Sequence, residues 1–337
     1  MKKRTKKQKK AESIISTPCV PFKPGDQCSG FAIEKISPLP SLGCVAVQAK
    51  HEHSKARVLH IYAPHDRENC FAVAFRTPPP DDSGVAHILE HAVLGGSRKY
   101  PVKDPFMEML KMSMATFLNA MTYPDKTVYP VASNVIKDYF NLVEVYCDAV
   151  LNPRISPMTL KQEGHHLAFV DPENMKSPLI TKGIDYNEMK GAYSDFDSLI
   201  ERKAMRALFP QSPYGNDSGG DPPHIRQLSY EEFVAFFRHF YHPANAWFFL
   251  YGDIPTACQL KFLDARLRAV PEPPSIRSEL PMQPTWEAPR EEEIDYPVDP
   301  GDDLDAKHAV TVNWLVGDVT DPVVDLAMEV IDRLLLG

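Results

Sequence analysis

The sequence predicts an α+β fold, and three observations lead there. Short stretches of alternating hydrophobicity open the chain, three consecutive prolines at 78–80 break them, and helical periodicity then alternates with further strand-like runs to about residue 269. Residues 31–36 and 44–49 read as strands, and 56–63 with 70–76 continue the alternation as a run of β-hairpins. Past Pro78, Pro79 and Pro80, the side chains of Asp81, Asp82 and Ser83 can cap a helix and Gly95-Gly96 can stop one, so residues 84–94 are expected to be helical. A helix over 105–115, an alternating stretch over 116–122, a Pro124-Asp125 turn and a strand over 127–132 place a hairpin close behind it. Helices follow at 135–151 and at 157–170, the latter with Leu160, His165, Leu167 and Ala168 on its expected buried side. Helices at 184–208 and 230–240, a strand at 246–251 and a helix from Pro255 to about residue 269 complete a mixed, mostly antiparallel sheet with packed helices.

The chain is long enough for two domains, with 43% hydrophobic residues to fill a core. Residues 21–269 read as one domain. Pro271, Pro273, Pro274, Pro281, Pro284 and Pro289, followed by the acidic stretch 291–305, form a connector over 270–305. A strand at 309–315 and an amphipathic helix at 322–336 begin something further, and about 30 residues cannot bury a core alone. Residues 306–337 are therefore expected to be the truncated start of a second, similar domain.

Charge excludes some functions. Seven of the first ten residues are Lys or Arg, so the rest of the chain holds 30 basic against 45 acidic residues, a balance of −15 that is poorly suited to nucleic acid. Residues 1–20 read as a solvated, disordered basic tail. The stretch after it lacks the apolar core of a secretory signal, its Lys-rich character differs from an Arg- and Ser-rich transit peptide, and no apolar run is long enough to span a membrane. Six scattered cysteines without a CxxC pair read as reduced thiols. The expected compartment is the cytoplasm, with the mitochondrial matrix as the alternative.

The chemistry concentrates in His87-Ile88-Leu89-Glu90-His91. Four residues of helix turn the two histidines only about 40° apart, so both imidazoles can reach one ion, while Glu90 lies about 60° from His87 on the same side. This is the HxxEH order, inverted from HExxH. Zinc is the expected ion, one Zn2+ per chain, because catalytic zinc takes three His and carboxylate ligands and keeps one position open. Glu90 is then the expected general base. Taken alone, the same residues also suit ordinary hydrogen-bonded polar side chains on a helix face, and the third ligand must come from elsewhere. His51, His53, His165 and His166 lack a helical partner with a carboxylate beside it and read as ordinary residues. A closed structural zinc site would favour cysteine ligands, and none lies near the motif.

The segment from Gly84 to His91, followed by Gly95-Gly96-Ser97-Arg98-Lys99-Tyr100-Pro101, resembles the presequence protease branch of the pitrilysin peptidases. Asp104-Pro105-Phe106, Thr116-Phe117-Leu118-Asn119-Ala120 and Asp185-Tyr186-Asn187-Glu188-Met189-Lys190-Gly191-Ala192 are similar to that branch in order and spacing. The resemblance implies a pitrilysin-like domain, Glu188 as the third zinc ligand, and an edge strand over 116–121 that binds the substrate backbone, with Asn119 and Ala120 nearest the scissile bond. Tyr241-His242-Pro243-Ala244-Asn245 and Tyr251-Gly252-Asp253 resemble the family's domain end, with His242 structural. The implied activity is that of a zinc metalloendopeptidase cutting short unfolded peptides. In the family a second half closes over the substrate and supplies Arg and Tyr side chains, and this sequence ends before that half. A half-enzyme needing a complementary C-terminal half, or a silent peptide-binding homologue, are the alternatives.

Overall fold

The computed structural model describes residues 18–271, 275–296, 298, 301, 303, 305, 308–318 and 320–336. The expected basic tail lies outside the described residues up to position 17. Strands β1 (Gln27–Cys28), β2 (Phe31–Leu39), β3 (Cys44–His51), β4 (Arg57–Tyr62) and β5 (Asn69–Arg76) alternate inward and outward side chains, as period-two hydrophobicity requires. Helices α1 (Val85–Leu94) and α2 (Pro105–Met112) follow, then β6 (Phe117–Leu118), β7 (Met121–Thr122) and β8 (Lys126–Ser133). After α3 (Ile136–Leu151) and α4 (Pro157–Glu163) come β9 (His166–Phe169), β10 (Leu179–Lys182), α5 (Ile184–Ala192), α6 (Phe196–Leu208), α7 (Pro222–Ile225) and α8 (Tyr230–Phe240). The strand β11 (Ala246–Gly252), α9 (Thr256–Leu267) and α10 (Pro322–Leu336) end the sequence of elements.

Nine strands form one sheet in the order β1-β2-β3-β4-β11-β5-β8-β6, with β7 also on β8. The expected hairpin between β4 and β5 is absent. Instead β11 returns from far along the chain and inserts between them, parallel to β4 and antiparallel to β5. Its Phe248 and Leu250 are fully buried, so the central position takes one face of this apolar strand out of water, while Trp247 and Phe249 on the other face stay exposed. Helix α1 packs into the same core through Ile88, Leu89 and Val93.

Three helical expectations change in the fold. The helix expected over 157–170 stops at Glu163. Gly164 and Gly183 meet backbone to backbone, and the chain then pairs β9 with β10, which leaves Leu167 68% exposed instead of buried. The helix expected over 184–208 is two helices, because Asp195 accepts a hydrogen bond from the Ser198 amide at 2.9 Å and so starts α6 afresh. At α1 the N-cap is Gly84, in the left-handed region at φ 68°, with no side-chain cap. Asp82, expected to cap, instead accepts from the Asp217 amide at 2.8 Å and pairs with Arg206. A Cβ at Gly84 would stand 2.6 Å from the Gly219 carbonyl oxygen, so only glycine lets these two loops approach.

The expected strand over 309–315 is not formed. Val310 is 92% exposed there, with Val312 and Trp314 also exposed, and an isolated apolar strand has nothing to pair with. Helix α10 forms as expected, with Leu326, Leu334 and Leu335 in contact with solvent. No helix of the described residues is long and apolar enough to cross a membrane.

Candidate metal centre

Helix α1 is buried on nearly every side, and its HxxEH spacing turns His87, Glu90 and His91 toward α5 and the β6–β7 edge of the sheet. The two imidazole rings lie edge to face with centroids 4.8 Å apart. From α5, Glu188 reaches both, its Oε1 3.7 Å from His87 Nε2 and its Oε2 3.8 Å from His91 Nε2. One donor atom from each of His87, His91 and Glu188 falls within 4.8 Å of the others, and no other group of this kind occurs among the described residues. Donors around a tetrahedral zinc with bonds of about 2.0–2.1 Å stand about 3.3 Å apart, a contraction within reach of small side-chain rotations. Two imidazoles and one carboxylate are also the donor chemistry zinc takes in open sites. The residues present fit the metal.

Asp185 is a neighbour of the donor group that sequence reasoning missed. It is completely buried, one turn before Glu188 on α5, and its Oδ1 contacts His87 Nδ1. The i, i+3 spacing from Glu188, inside a segment already singled out, was the available signal. Burial pushes the His87 imidazole down, but the hydrogen bond and charge of Asp185, with the charges of Glu90 and Glu188, bring it up to about 9. Burial raises Asp185, and its hydrogen bond to His87 and the charge there oppose the rise. His91 is lowered, first by burial and then by the neighbouring His87 charge. Glu163, also buried, stands 3.8 Å from His91 Nδ1.

Glu90 is buried beside the pair. Burial raises its carboxyl, and a 2.6 Å hydrogen bond donated by Thr122 Oγ1 to Oε2 opposes the rise. Thr122 belongs to β7, so the motif helix is tied directly to the edge of the sheet. The single strand expected over 116–121 is split there into β6 and β7. Asn119 N–H donates to the Pro130 carbonyl at 3.2 Å, but Pro130 has no N–H to return, and the Asn119 carbonyl accepts from the Tyr146 hydroxyl at 3.0 Å instead. Asn119 and Ala120 line a cavity of about 1250 Å³ together with Glu90, His91, Phe106 and Tyr230.

The remaining histidines are not part of the donor group, although His165 and His166 line the same cavity. His51 bonds Ser54 and Asp264, His53 the Val270 carbonyl, His165 the Leu228 carbonyl and His166 the Lys161 carbonyl. His242 accepts from the Ala244 amide at 3.1 Å and donates to the Pro271 carbonyl at 3.2 Å, which pins the turn before β11.

The profile of the insulinase family (peptidase family M16) matches residues 75–174, and that of the peptidase M16 inactive domain matches residues 227–337. Protein HypA of Clostridium perfringens is 45% identical over 316 residues, covering 93% of this chain and 32% of that protein. Presequence protease 1, chloroplastic/mitochondrial, of Arabidopsis thaliana is 42% identical over 336 residues, covering 97% of this chain and 31% of that protein. The chain belongs to the M16 peptidase family. It spans about a third of the length of the curated relatives it matches. The M16 fold itself recurs in the crystal structure of an M16-like protein from Alicyclobacillus acidocaldarius, with a TM-score of 0.57 at 18% identity over 72% of this chain and 54% of that one. Pitrilysin gives a TM-score of 0.51 at 17% identity over 73% of this chain and 24% of that one. The chain thus combines the mixed sheet and packed helices of an M16 unit with the start of a second M16 domain.

Proposed function

We propose that this chain carries the catalytic site of a zinc metalloendopeptidase that cuts short unfolded peptides, with His87, His91 and Glu188 as the metal ligands and Glu90 as the general base. The observation that carries the reading is the meeting of three donor atoms from two separate helices within 4.8 Å, with Glu90 on the same helix face. Zinc, when bound, supplies Lewis-acid polarisation of the scissile carbonyl and a lowered pKa for water. Glu90 takes the proton of the attacking water and passes it to the leaving amine. Its burial brings it closer to the working pH of a base, and Thr122 fixes the direction of its carboxylate. The substrate lies along the β6–β7 edge as an added strand beside Asn119 and Ala120, where main-chain pairing keeps sequence preference loose. Residues 21–269 form the catalytic unit, since α9 and β11 close its sheet and core.

The test is zinc content and cleavage of a quenched unstructured peptide by the chain and its Glu90→Gln variant, each with and without chelator. Stoichiometric zinc in both, with cleavage lost by at least about 10²-fold in the variant, is the expected result. A second reading is a half-enzyme that needs a complementary C-terminal half. It is favoured by the coverage of a third of the relatives and by the apolar side chains that α10 leaves in solvent. Zinc binding without cleavage, restored by adding the C-terminal remainder, would select it over a silent peptide-binding homologue. For the compartment, the relatives named mitochondrial or chloroplastic support the mitochondrial matrix over the cytoplasm expected first.

A further inference from the structure

The completely buried carboxylate of Asp185 needs an explanation that the three ligands and the base do not provide. An ionised carboxylate taken out of water costs several kcal/mol unless a partner compensates it. Neither of its oxygens has an ordinary hydrogen bond from another group among the described residues, and its contact is the Nδ1 of His87. An imidazole offers one nitrogen to a metal only when its proton resides on the other, and the acceptor facing that other nitrogen decides which one it is. Two acceptors face His87 Nδ1, Asp185 Oδ1 in contact and the Gly219 carbonyl oxygen at 3.4 Å. The Nε2 atom points instead to Glu188.

We infer that Asp185 is a positioning residue which holds the Nδ1 proton of His87 and thereby commits Nε2 to the metal. The inference rests on the proposed metal site. It distinguishes the two histidines, because the carboxylate facing His91 Nδ1, that of Glu163, stands at 3.8 Å, beyond hydrogen-bond reach. Asp185 therefore acts as a fixed orienter of one ligand, while His91 depends on its helix for its direction.

The experiment is a competitive chelator titration with zinc alone on the full chain and its Asp185→Leu, Asp185→Asn and Glu163→Gln variants. It is read beside urea unfolding of the metal-free proteins and proton NMR of the zinc-loaded ones. Leucine removes the carboxylate and leaves His87 Nδ1 without its partner, a change that costs folding stability when one member of a buried pair is lost, so the urea unfolding separates that cost from the loss of metal affinity. Asparagine keeps the shape but can present an N–H to Nδ1 and stabilise the wrong tautomer. Both Asp185 variants should lose about 10–100-fold in zinc affinity under conditions where the urea curves show them folded, and Glu163→Gln should lose less. A deshielded, exchange-protected Nδ1–H resonance of His87 should be present in the zinc-loaded chain and in Glu163→Gln, and absent from Asp185→Leu. Zinc affinity of Asp185→Leu within about threefold of the unaltered chain, or an unchanged resonance, overturns the inference while leaving the metal site standing. If the unaltered chain does not bind zinc, or binds it equally well without His87 and His91, the metal site itself fails and the inference with it.

Discussion

Eight of the ten residues of α1 are buried, whereas the nine-residue α5 buries Asp185 and Met189 and leaves the Glu188 side chain 55% exposed. The two helices nevertheless deliver donors to the same point. On α1, core packing of Ile88, Leu89 and Val93 fixes the backbone that carries His87, Glu90 and His91, so these donors are positioned before any metal arrives. On α5, position depends on the crossing at Gly164 and Gly183 and on the contact of Asp185 with His87. The difference teaches that the α1 half of the site is seated deep in the hydrophobic core, whereas the α5 half is anchored at its edge, through Met189 and through the contact of Asp185 with His87.

The largest expected effect is on the metal. His91→Ala should weaken zinc binding by at least about 100-fold while the fold persists, measured by chelator competition together with circular dichroism. Retention of tight, stoichiometric zinc would remove α1 from the site. Next comes Ile88→Ala, which empties a fully buried position and should cost about 2–5 kcal/mol in urea unfolding. The matching change on α5, Ile184→Ala at a side chain 48% exposed, should stay near about 0.5 kcal/mol. Equal costs on the two helices would erase the contrast.

Burial controls charge as well as shape, and His60 on β4 sharpens the point away from the site. It is fully buried, its Nδ1 bonds Thr256 Oγ1 at 2.8 Å, and burial lowers its pKa from the ordinary 6.5 to about 4. The unfolded chain therefore binds a proton near pH 6.5 that the folded chain refuses until about pH 4. This contribution to stability is fully present above pH 6.5 and declines as pH falls toward 4, by on the order of 3 kcal/mol. Comparing urea unfolding at pH 7 and pH 4.5 for the chain and for His60→Phe measures it. The variant should lose part of the slope, and identical slopes would mean that His60 titrates freely.

Much of this was legible from local pattern. The strands from Phe31 to Arg76 and the helices α1, α3, α8 and α9 follow from periodicity and turn chemistry within a few residues of their observed ends. The HxxEH geometry needs nothing beyond helical spacing. Glu188 entered through resemblance to known peptidases, and the structure puts it beside both imidazoles. The insertion of β11 between β4 and β5 was not legible, because strand order depends on which apolar strand gains most from the centre of the sheet. The residues of β9 were read as helix because an apolar run of a few residues suits either period.

The sequence by itself determined which helix carries His87, Glu90 and His91 and the phase of their side chains, since the α-helix repeat converts spacing into angle without reference to the rest of the molecule. Tertiary structure alone decided that Asp185 faces His87, that Thr122 holds Glu90, and that Asn119 borrows its hydrogen bond from Tyr146. Each of these contacts joins residues far apart in the chain. Their physical reason is packing: once the core sets α1, α5 and the β6–β7 edge against one another, the polar groups taken out of water there are brought face to face across those elements.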